Sequence, residues 1–169
     1  RMTDNDQRGS AGRRAELAAI LPNLRRFALS LAGNLADADD LLQATVLRLL
    51  ERGAPERADL LPWAFKVCRN LWIDEHRARQ VRQRAADAPE LRDLHVSGIT
   101  ADGAERLAAD EVFRALSDLN PDQRAVLELV AVEGYTYHRA AEVLDVPIGT
   151  VMSRLARARA ALADRFERD

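Results

Sequence analysis

The stretch that most constrains the fold runs from Pro147 to Leu162. Within it, apolar residues recur at positions i, i+4, i+7 and i+11, and these are Val151, Leu155, Ala158 and Leu162. This spacing predicts one buried face of a helix. Small hydroxyl and guanidinium groups recur at i, i+3, i+4 and i+7 on a different face, and these are Thr150, Ser153, Arg154 and Arg157. Such groups suit DNA phosphates and base edges in a major groove.

A shorter helix is predicted immediately upstream, from Thr136 to Leu144, with Thr136 as its N-cap. Asp145 and Val146 separate this helix from the longer one, and Pro147 is expected at the first position of the longer helix. A short helix, a tight break and a longer helix form a helix-turn-helix pattern. The pattern alone leaves two interpretations open, a DNA-binding unit or two helices of an ordinary bundle with solvated arginines.

The composition favours a folded, all-helical protein. The chain has 169 residues, of which 47% are hydrophobic and 31% charged, with only eight glycines and six prolines. That length accommodates one ordinary domain or two small ones. No apolar run is long enough to span a bilayer and no signal-peptide core is present, so we expect a cytoplasmic protein without membrane insertion. Cys68 is the only cysteine, which excludes an internal disulfide and fits a reducing compartment.

The charges are unevenly distributed. A net charge of −2 argues against a protein that coats nucleic acid by itself. The segment Trp63–Arg84 is nevertheless rich in arginine, whereas Asp87–Asp118 is mainly acidic. Two basic helices separated by an acidic segment suggest two contact surfaces on one polyanion.

Three amphipathic helices are predicted in residues 13–84, which is about the minimum for a small independent core. The first is kinked or divided at Pro22 and stops at Gly33. The second has Asp37 as its expected N-cap, and a loop from Gly53 to Asp59 follows it. The third runs from Leu60 to about residue 84. Its inward face is expected to consist of Trp63, Val67 and Leu71, and its polar face of Lys66, Asn70, Asp74 and Arg77.

A linker is expected at residues 85–103, where helical periodicity is lost and proline, glycine and serine accumulate. A second domain is predicted at residues 104–165. Its clearest local signal is a helix start, with Asn120 as cap, Pro121 at the first position and Gln123 completing a capping box. Gly134 is expected to end that helix.

Three parts of the chain resemble conserved regions of bacterial RNA polymerase sigma factors. Asp37–Leu50 resembles region 2.2, and Leu61–Arg77 resembles regions 2.3 and 2.4. Region 4 is resembled by three segments, Leu116–Leu127, Glu133–Tyr137 and Pro147–Arg159. Their order and spacing match the short extracytoplasmic-function (ECF) sigma factors from about residue 21 to 162. The resemblance implies a region 2 bundle of three to four helices and a region 4 helix-turn-helix domain, joined by a flexible linker.

The resemblance also implies a function. Such proteins bind core RNA polymerase and direct promoter-specific transcription initiation, commonly in a stress response under an anti-sigma factor. Region 4 would read the minus-thirty-five element through Ser153, Arg154 and Arg157, while Thr150 and Arg159 contact phosphates. An arginine fork on guanine is worth ~1–3 kcal/mol against a wrong base.

Region 2 would engage the minus-ten element as a single strand. The resemblance implies that Asn70, Asp74 and Arg77 read it and that Lys66 and Arg69 contact its backbone. The loop from residue 53 to 59 would hold an extruded base, because a duplex hides the edges that must be read. Core polymerase would dock on the second helix, through Asp37, Asp40, Gln43 and Arg48.

The sequence departs from the family pattern at several positions. A cation is usual where Met152 stands, a larger residue at Ala156, and an acidic residue at Ala44. His138-Arg139 replaces an acidic pair at the start of the first helix of the motif. Met152 and Ala156 leave fewer side chains on this helix that could read DNA, so the promoter sequence cannot be carried over from relatives.

Other functions fit less well. The histidines and Cys68 lack the pairwise spacing of a zinc site, and no nucleophile–base set or phosphate loop is present, so we expect no metal, cofactor, small-molecule substrate or enzymatic activity. Trp63 is expected in the core, whereas Trp72 could be core or could stack on a base. Two rivals remain, a sigma-like mimic that only sequesters an anti-sigma factor and a stand-alone helix-turn-helix repressor.

Overall fold

A computed structural model describes residues 4–86 and 111–167, and side chains from residue 11 onward. Every regular element in these ranges is helical, which confirms the all-α prediction. The helices are α1 (Asp4–Ala32), α2 (Leu35–Arg52), α3 (Leu60–Ala86), α4 (of which residues 111–117 are described), α5 (Pro121–Leu127), α6 (Tyr137–Leu144) and α7 (Ile148–Phe166). A π-helical turn, Glu128–Val132, continues α5. The predicted linker beyond residue 86, and the start of the second predicted domain to residue 110, lie outside the described residues.

Helix α1 passes through Pro22 as one continuous helix. It ends as predicted at Gly33, whose φ of +79° lies in the region that glycine tolerates best. The Gly33 amide donates a 2.8 Å hydrogen bond to the Leu29 carbonyl and so closes the last turn.

The prediction that Asp37 caps α2 was wrong. The helix begins at Leu35, and Asn34 is its N-cap, because the extended backbone of Asn34 lets its side-chain oxygen accept the Asp37 amide at 2.9 Å. Asp37 lies in the first turn instead, where its carboxylate accepts a hydrogen bond from the Asn34 amide group at 2.9 Å.

The predicted starts of α5 and α6 are confirmed. Asn120 and Gln123 form the complete capping box, with Pro121 in the first turn. The Thr136 hydroxyl accepts the Arg139 amide at 3.1 Å. Pro147, by contrast, lies one position before α7 rather than at its first residue, because its ψ of 148° is extended.

Helices α1, α2 and α3 pack around one apolar core. The Phe27 and Phe65 rings lie 4.6 Å apart between centroids, and both side chains are fully buried. The fully buried positions of α3 are Ala64, Phe65 and Cys68. The predicted inward residues Trp63, Val67 and Leu71 are only half-buried at its edge, although all three contact the core.

Helices α5, α6 and α7 form the second packed unit. The predicted helix-turn-helix is confirmed, and its turn contains Asp145 in a left-handed conformation with φ +51°. The Val146 amide donates to the Ala141 carbonyl at 3.1 Å, which closes the end of α6. Val151, Leu155 and Ala158 of α7 are buried as predicted, whereas Leu162, the fourth residue of the predicted stripe, is only half-buried.

The two units share a continuous core. Helix α1 packs against α5 and the π-helical turn, and α3 packs against α6. The rings of Phe65 in α3 and Tyr135 before α6 lie 6.1 Å apart. Buried side chains from both units therefore form one cluster. In the described part of the chain, no helix combines the length and apolar content needed to cross a membrane.

Candidate nucleic-acid interface

Helix α7 presents most of the predicted duplex-reading residues to solvent. Ser153, Arg157 and Arg159 are exposed, and Thr150 is half-buried. The Ser153 hydroxyl donates to the Thr150 carbonyl at 3.1 Å, one turn back along the helix. Ser153 and Arg157 occupy the face opposite the buried stripe, and a major groove admits a helix in that orientation.

Arg154 differs from its neighbours because it is already paired. Its Nη2 lies 3.3 Å from an Asp122 carboxylate oxygen, and its side chain is only 22% exposed. Asp122 belongs to the first turn of α5, where the helix dipole favours an acidic group. Arg154 must therefore leave this carboxylate to contact a base.

Helix α3 carries the predicted single-strand surface. Asn70, Asp74 and Arg77 are exposed, whereas Lys66 and Arg69 are half-buried. Burial lowers the pKa of Arg69, and the carboxylates of Asp122 and Asp145 partly oppose that effect. Arg69 of the first unit is therefore within electrostatic range of acidic residues of the second unit.

An open groove of about 280 Å³ lies between the start of α3 and α6. It is lined by Ala58, Asp59, Pro62, Trp63, Lys66, Arg139, Glu142 and Val143. The Trp63 indole N–H is buried without a hydrogen-bond partner among the described residues. Arg139 of α6 reaches across the groove to Asp59, with 2.6 Å between Nη2 and the carboxylate oxygen. The loop predicted to hold an extruded base is thus contacted by α6.

Helix α2 carries the predicted polymerase-docking residues. Asp40 and Gln43 are exposed, and Arg48 is half-buried. Asp37 is half-buried and pairs with Arg79 of α3 at 3.2 Å, and this hydrogen-bonded pair lowers the pKa of Asp37. Two of the predicted docking residues, Asp40 and Gln43, are therefore fully available to a partner.

Sequence reasoning missed an apolar feature of α2. Leu47 and Leu50 are 58% and 45% exposed. A signal existed, since both leucines fall outside the stripe of Ala38, Leu41, Thr45 and Leu49 that the helix buries. Exposed apolar groups of this size are a common feature of protein-binding surfaces.

A second missed feature is a polar cluster between α1 and the π-helical turn. The Glu133 carboxylate accepts hydrogen bonds from Asn23 at 2.9 Å and from Arg26 at 3.3 Å. Arg26 also pairs with Glu128 at 3.4 Å, and burial nevertheless raises the pKa of Glu128. Local sequence patterns do not predict these contacts, because Glu133 is separated from Arg26 and Asn23 by 107 and 110 residues in the sequence.

The sequence matches two regions of one family. Residues 17–82 match the family described as "Sigma-70 region 2", and residues 109–162 match the family described as "Sigma-70, region 4". The ECF RNA polymerase sigma factor EcfG of Rhodopseudomonas palustris is 37% identical over 153 residues, covering 89% of this chain and 82% of that protein. The chain belongs to the ECF sigma factor family. SigC of Mycobacterium tuberculosis is 34% identical over 159 residues, covering 92% and 83% of the two chains.

The fold of this sigma factor is also similar to a solved family structure. Bartonella quintana RpoE, solved with the anti-sigma factor NepR, superposes with a TM-score of 0.80 and is 28% identical in sequence. The match covers 92% of this chain and 97% of RpoE. The two sigma regions thus have a known structural counterpart in the same order.

The sigma factor's Arg139, one of its departures from the family pattern, has a structural role. Its guanidinium lies 5.1 Å from the centroid of the Tyr135 ring and pairs with Asp59. His138 beside it lies 3.5 Å from Glu142 within the same helix. Arg139 therefore joins the two sigma regions, whereas His138 makes a local contact.

Groups able to hold a metal ion are not found in residues 4–86 or 111–167 of this sigma factor. Cys68 is buried, and burial raises the pKa of its thiol to about 12. A thiol that stays protonated at neutral pH is a poor nucleophile and a poor metal ligand.

Proposed function

We propose that this sigma factor directs core RNA polymerase to promoters through two separate DNA contacts. The observation that carries the proposal is α7, whose exposed Ser153 and Arg157 lie opposite a fully buried stripe. A helix-turn-helix presents such a face to the major groove. Arg157 would read a base of the minus-thirty-five element, with Arg154 joining it after release from Asp122, and Thr150 and Arg159 would contact phosphates.

The second contact uses α3 and the loop before it. Exposed Asn70, Asp74 and Arg77 would read the unpaired minus-ten strand. Lys66 and Arg69 would contact its phosphates, which provide sequence-independent affinity. An extruded base would occupy the loop at residues 53–59, where bases excluded from the duplex become readable.

Core polymerase would dock on α2. Asp40 and Gln43 supply exposed polar groups, and Asp37 and Arg48 flank them. Leu47 and Leu50 supply apolar area, which gives a protein interface much of its affinity. This docking places both DNA contacts on the enzyme that melts the promoter.

Control by an anti-sigma factor completes the proposal. It is supported by the RpoE structure, which was solved with the anti-sigma factor NepR. Direct packing of α1 on α5 in this chain favours a partner that wraps the two regions over one that wedges between them. We expect a cytoplasmic regulator that binds DNA and polymerase and has no catalytic activity, cofactor, metal or small-molecule substrate.

The division between residues 13–84, 85–103 and 104–165 belongs to the proposal. The helices of the first segment pack mainly on one another, and those of the third segment do the same, although the two groups share one core. This internal packing supports two DNA-binding modules. A stand-alone repressor would leave the exposed polar stripe of α3 without a role.

The test is transcription with purified core polymerase, this protein and a library of promoters. We expect run-off transcripts from a subset of templates that share an upstream and a downstream element. No transcript from any template would instead favour the sigma-like mimic. The Arg157→Ala variant should lose activity mainly through one upstream base position, by ~1–3 kcal/mol. Arg14→Ala on the exposed surface of α1 is the control, and an equal loss across all templates would contradict the assignment of Arg157.

A further inference from the structure

The solvent-facing side of α7 has a polar flank and an apolar flank. Arg157 follows Thr150 by seven residues and therefore lies nearly in line with it, and Met152 follows Ile148 by four. At about 100° per residue, Met152 and Arg157 are about 140° apart around the helix axis. Ile148 and Met152 are large apolar side chains that are 46% and 52% exposed. The helix thus offers hydrogen-bonding groups on one flank and apolar groups on the other.

Small residues separate the two flanks. Gly149, Ser153 and Ala156 are all exposed. A Cβ atom at Gly149 would meet nothing within 4 Å, and the φ of this residue is not positive. The described part of the chain therefore gives no internal reason for a glycine at this position of a helix. Close approach of the helix backbone to another molecule is such a reason.

The apolar flank is continuous with the surface proposed to bind duplex DNA. Ile148 and Met152 lie in the first two turns of α7, and a helix-turn-helix places the N-terminal residues of its second helix on base edges. Arg157 and Arg159 are exposed on the same helix and favour a polyanion over an apolar protein surface. The apolar group that a major groove displays is the C5-methyl group of thymine.

We propose that Met152 contacts the C5-methyl group of a thymine in the minus-thirty-five element and thereby selects that base. The inference rests on the proposed function and deepens it, because it names a base that the duplex-reading helix requires. Met152 and Arg157 are separated by about 7.5 Å along the helix, which corresponds to about two steps of duplex DNA. The thymine is therefore about two base pairs from the base that Arg157 reads.

The chemistry of methionine suits this contact. Its unbranched side chain adapts to an irregular apolar surface, and contact with a methyl group removes apolar area of both partners from water. The cation that is usual at this position would instead favour guanine acceptors or phosphates. Met152 therefore changes the base that is preferred, in addition to removing a charge.

Deoxyuridine tests the contact, because it differs from thymidine only in lacking the C5-methyl group. A promoter transcribed by core polymerase with this chain is rebuilt with each thymine of its upstream element replaced in turn. Run-off transcription is measured at subsaturating holoenzyme. One replacement should lower the yield about three- to fivefold, as expected for the loss of one buried methyl group.

Variants assign the effect to Met152. Met152→Ala should transcribe the thymine and deoxyuridine templates equally. Met152→Lys should also lose the difference, while its binding becomes more sensitive to salt because a cation is added beside the phosphates. Val132→Ala is the matched control, since Val132 is an apolar residue of the π-helical turn that is 57% exposed. This control should keep the full difference, and circular dichroism checks that all variants have equal helix content.

Cytosine provides an independent measurement at the same position. The 5-methyl group of 5-methylcytosine lies at the place in the major groove that the thymine methyl group occupies. With the wild-type chain, a template containing 5-methylcytosine should exceed one containing cytosine by about three- to fivefold. With Met152→Ala the two templates should be equal.

Equal transcription from thymine and deoxyuridine templates at every upstream position would overturn the inference. A Met152→Ala variant that keeps the wild-type difference would also overturn it. A loss in this variant that is equal on both templates would mean that a protein surface, rather than a methyl group, covers Met152. Failure of the proposed function has a different signature, because no template would then be transcribed, including those with every thymine in place.

Discussion

The guanidinium of Arg124 caps the carboxyl end of α1, donating a 2.6 Å hydrogen bond to the carbonyl oxygen of Ser30. It also donates to the Leu31 carbonyl at 3.4 Å and to the Leu119 carbonyl at 2.5 Å. The last carbonyls of a helix lack partners within the helix and lie at the negative end of its dipole. A cation from region 4 thus completes a helix of region 2.

Replacing Arg124 by alanine should lower the free energy of unfolding by ~1–3 kcal/mol, because partly buried carbonyls lose their charged donor. Urea denaturation monitored by circular dichroism measures the change. Arg14→Ala removes an exposed cation of α1 and is the control. A loss no greater than that of the control would show that water replaces the guanidinium at no cost.

Gly33 belongs to the same contact. A Cβ atom at this position would lie 3.0 Å from the Arg124 Nη2, and the residue has a φ of +79°. The Gly33→Ala variant should therefore be less stable by about 1 kcal/mol or more. Gly12→Ala, in open space within α1, is the matched control and should be neutral or stabilising in the same denaturation experiment.

The Asp37–Arg79 pair predicts a loss of stability in acid. The pKa of Asp37 is lowered in the folded chain by its hydrogen bonds from Arg79 and Asn34. Its contribution is thus present above the ordinary value of 3.8 and disappears as pH falls through the lowered folded pKa. The free energy of unfolding of the wild type should exceed that of Asp37→Asn by ~0.2–1 kcal/mol at pH 6, a small value because both partners are part-exposed. The difference should be smaller at pH 2, and urea denaturation at the two pH values measures it. A constant difference across this range would contradict the assignment.

Glu128 and Glu133 should respond oppositely to the loss of charge. Burial raises the pKa of Glu128, so this group favours folding below its ordinary value of 4.5 and opposes it as pH rises through the raised folded pKa. Glu128→Gln should therefore raise the free energy of unfolding at pH 7. Glu133→Gln should lower it by ~1–3 kcal/mol, because Asn23 and Arg26 lose a buried carboxylate acceptor. Thermal unfolding from pH 4 to 8 tests both signs, and changes of the same sign would contradict the account.

Leu47→Asp should weaken binding to core polymerase about tenfold or more without reducing stability. Leu47 is 58% exposed on α2, and a charge introduced there would face the proposed apolar contact. Binding to immobilised core polymerase measures the effect. Val81→Asp, at a 67% exposed position of α3, is the control, and equal weakening by both variants would exclude a specific role for Leu47.

Local structure was largely predictable from the sequence. The buried stripe of α7 follows from residue spacing, and the caps at Asn120 and Thr136 follow from side chains that reach nearby amides. Asn34 and Asp37 show the limit of such rules, since both are good caps and only the backbone at Asn34 decides between them.

Long-range contacts were not predictable from local pattern. Arg124 and Ser30 are 94 residues apart, and neither differs in type from residues that remain in water. The inward side of α3 was likewise placed at Trp63 instead of Phe65, because periodicity does not show that α3 is packed against both α1 and α6. For the same reason, Arg154 could be recognised as a DNA-facing candidate but not as a partner of Asp122.

The π-helical turn at Glu128–Val132 determines the orientation of the helices that follow it, α6 and α7. Its Glu133 amide bonds to the Glu128 carbonyl five residues back, so the turn is wider than a regular one. A regular helix advances by about 100° for each residue. Deleting one residue here would let an ordinary helix form, but it would rotate Glu133 away from Asn23. The irregular turn therefore sets the orientation of the recognition helix α7 relative to Arg124, which caps α1.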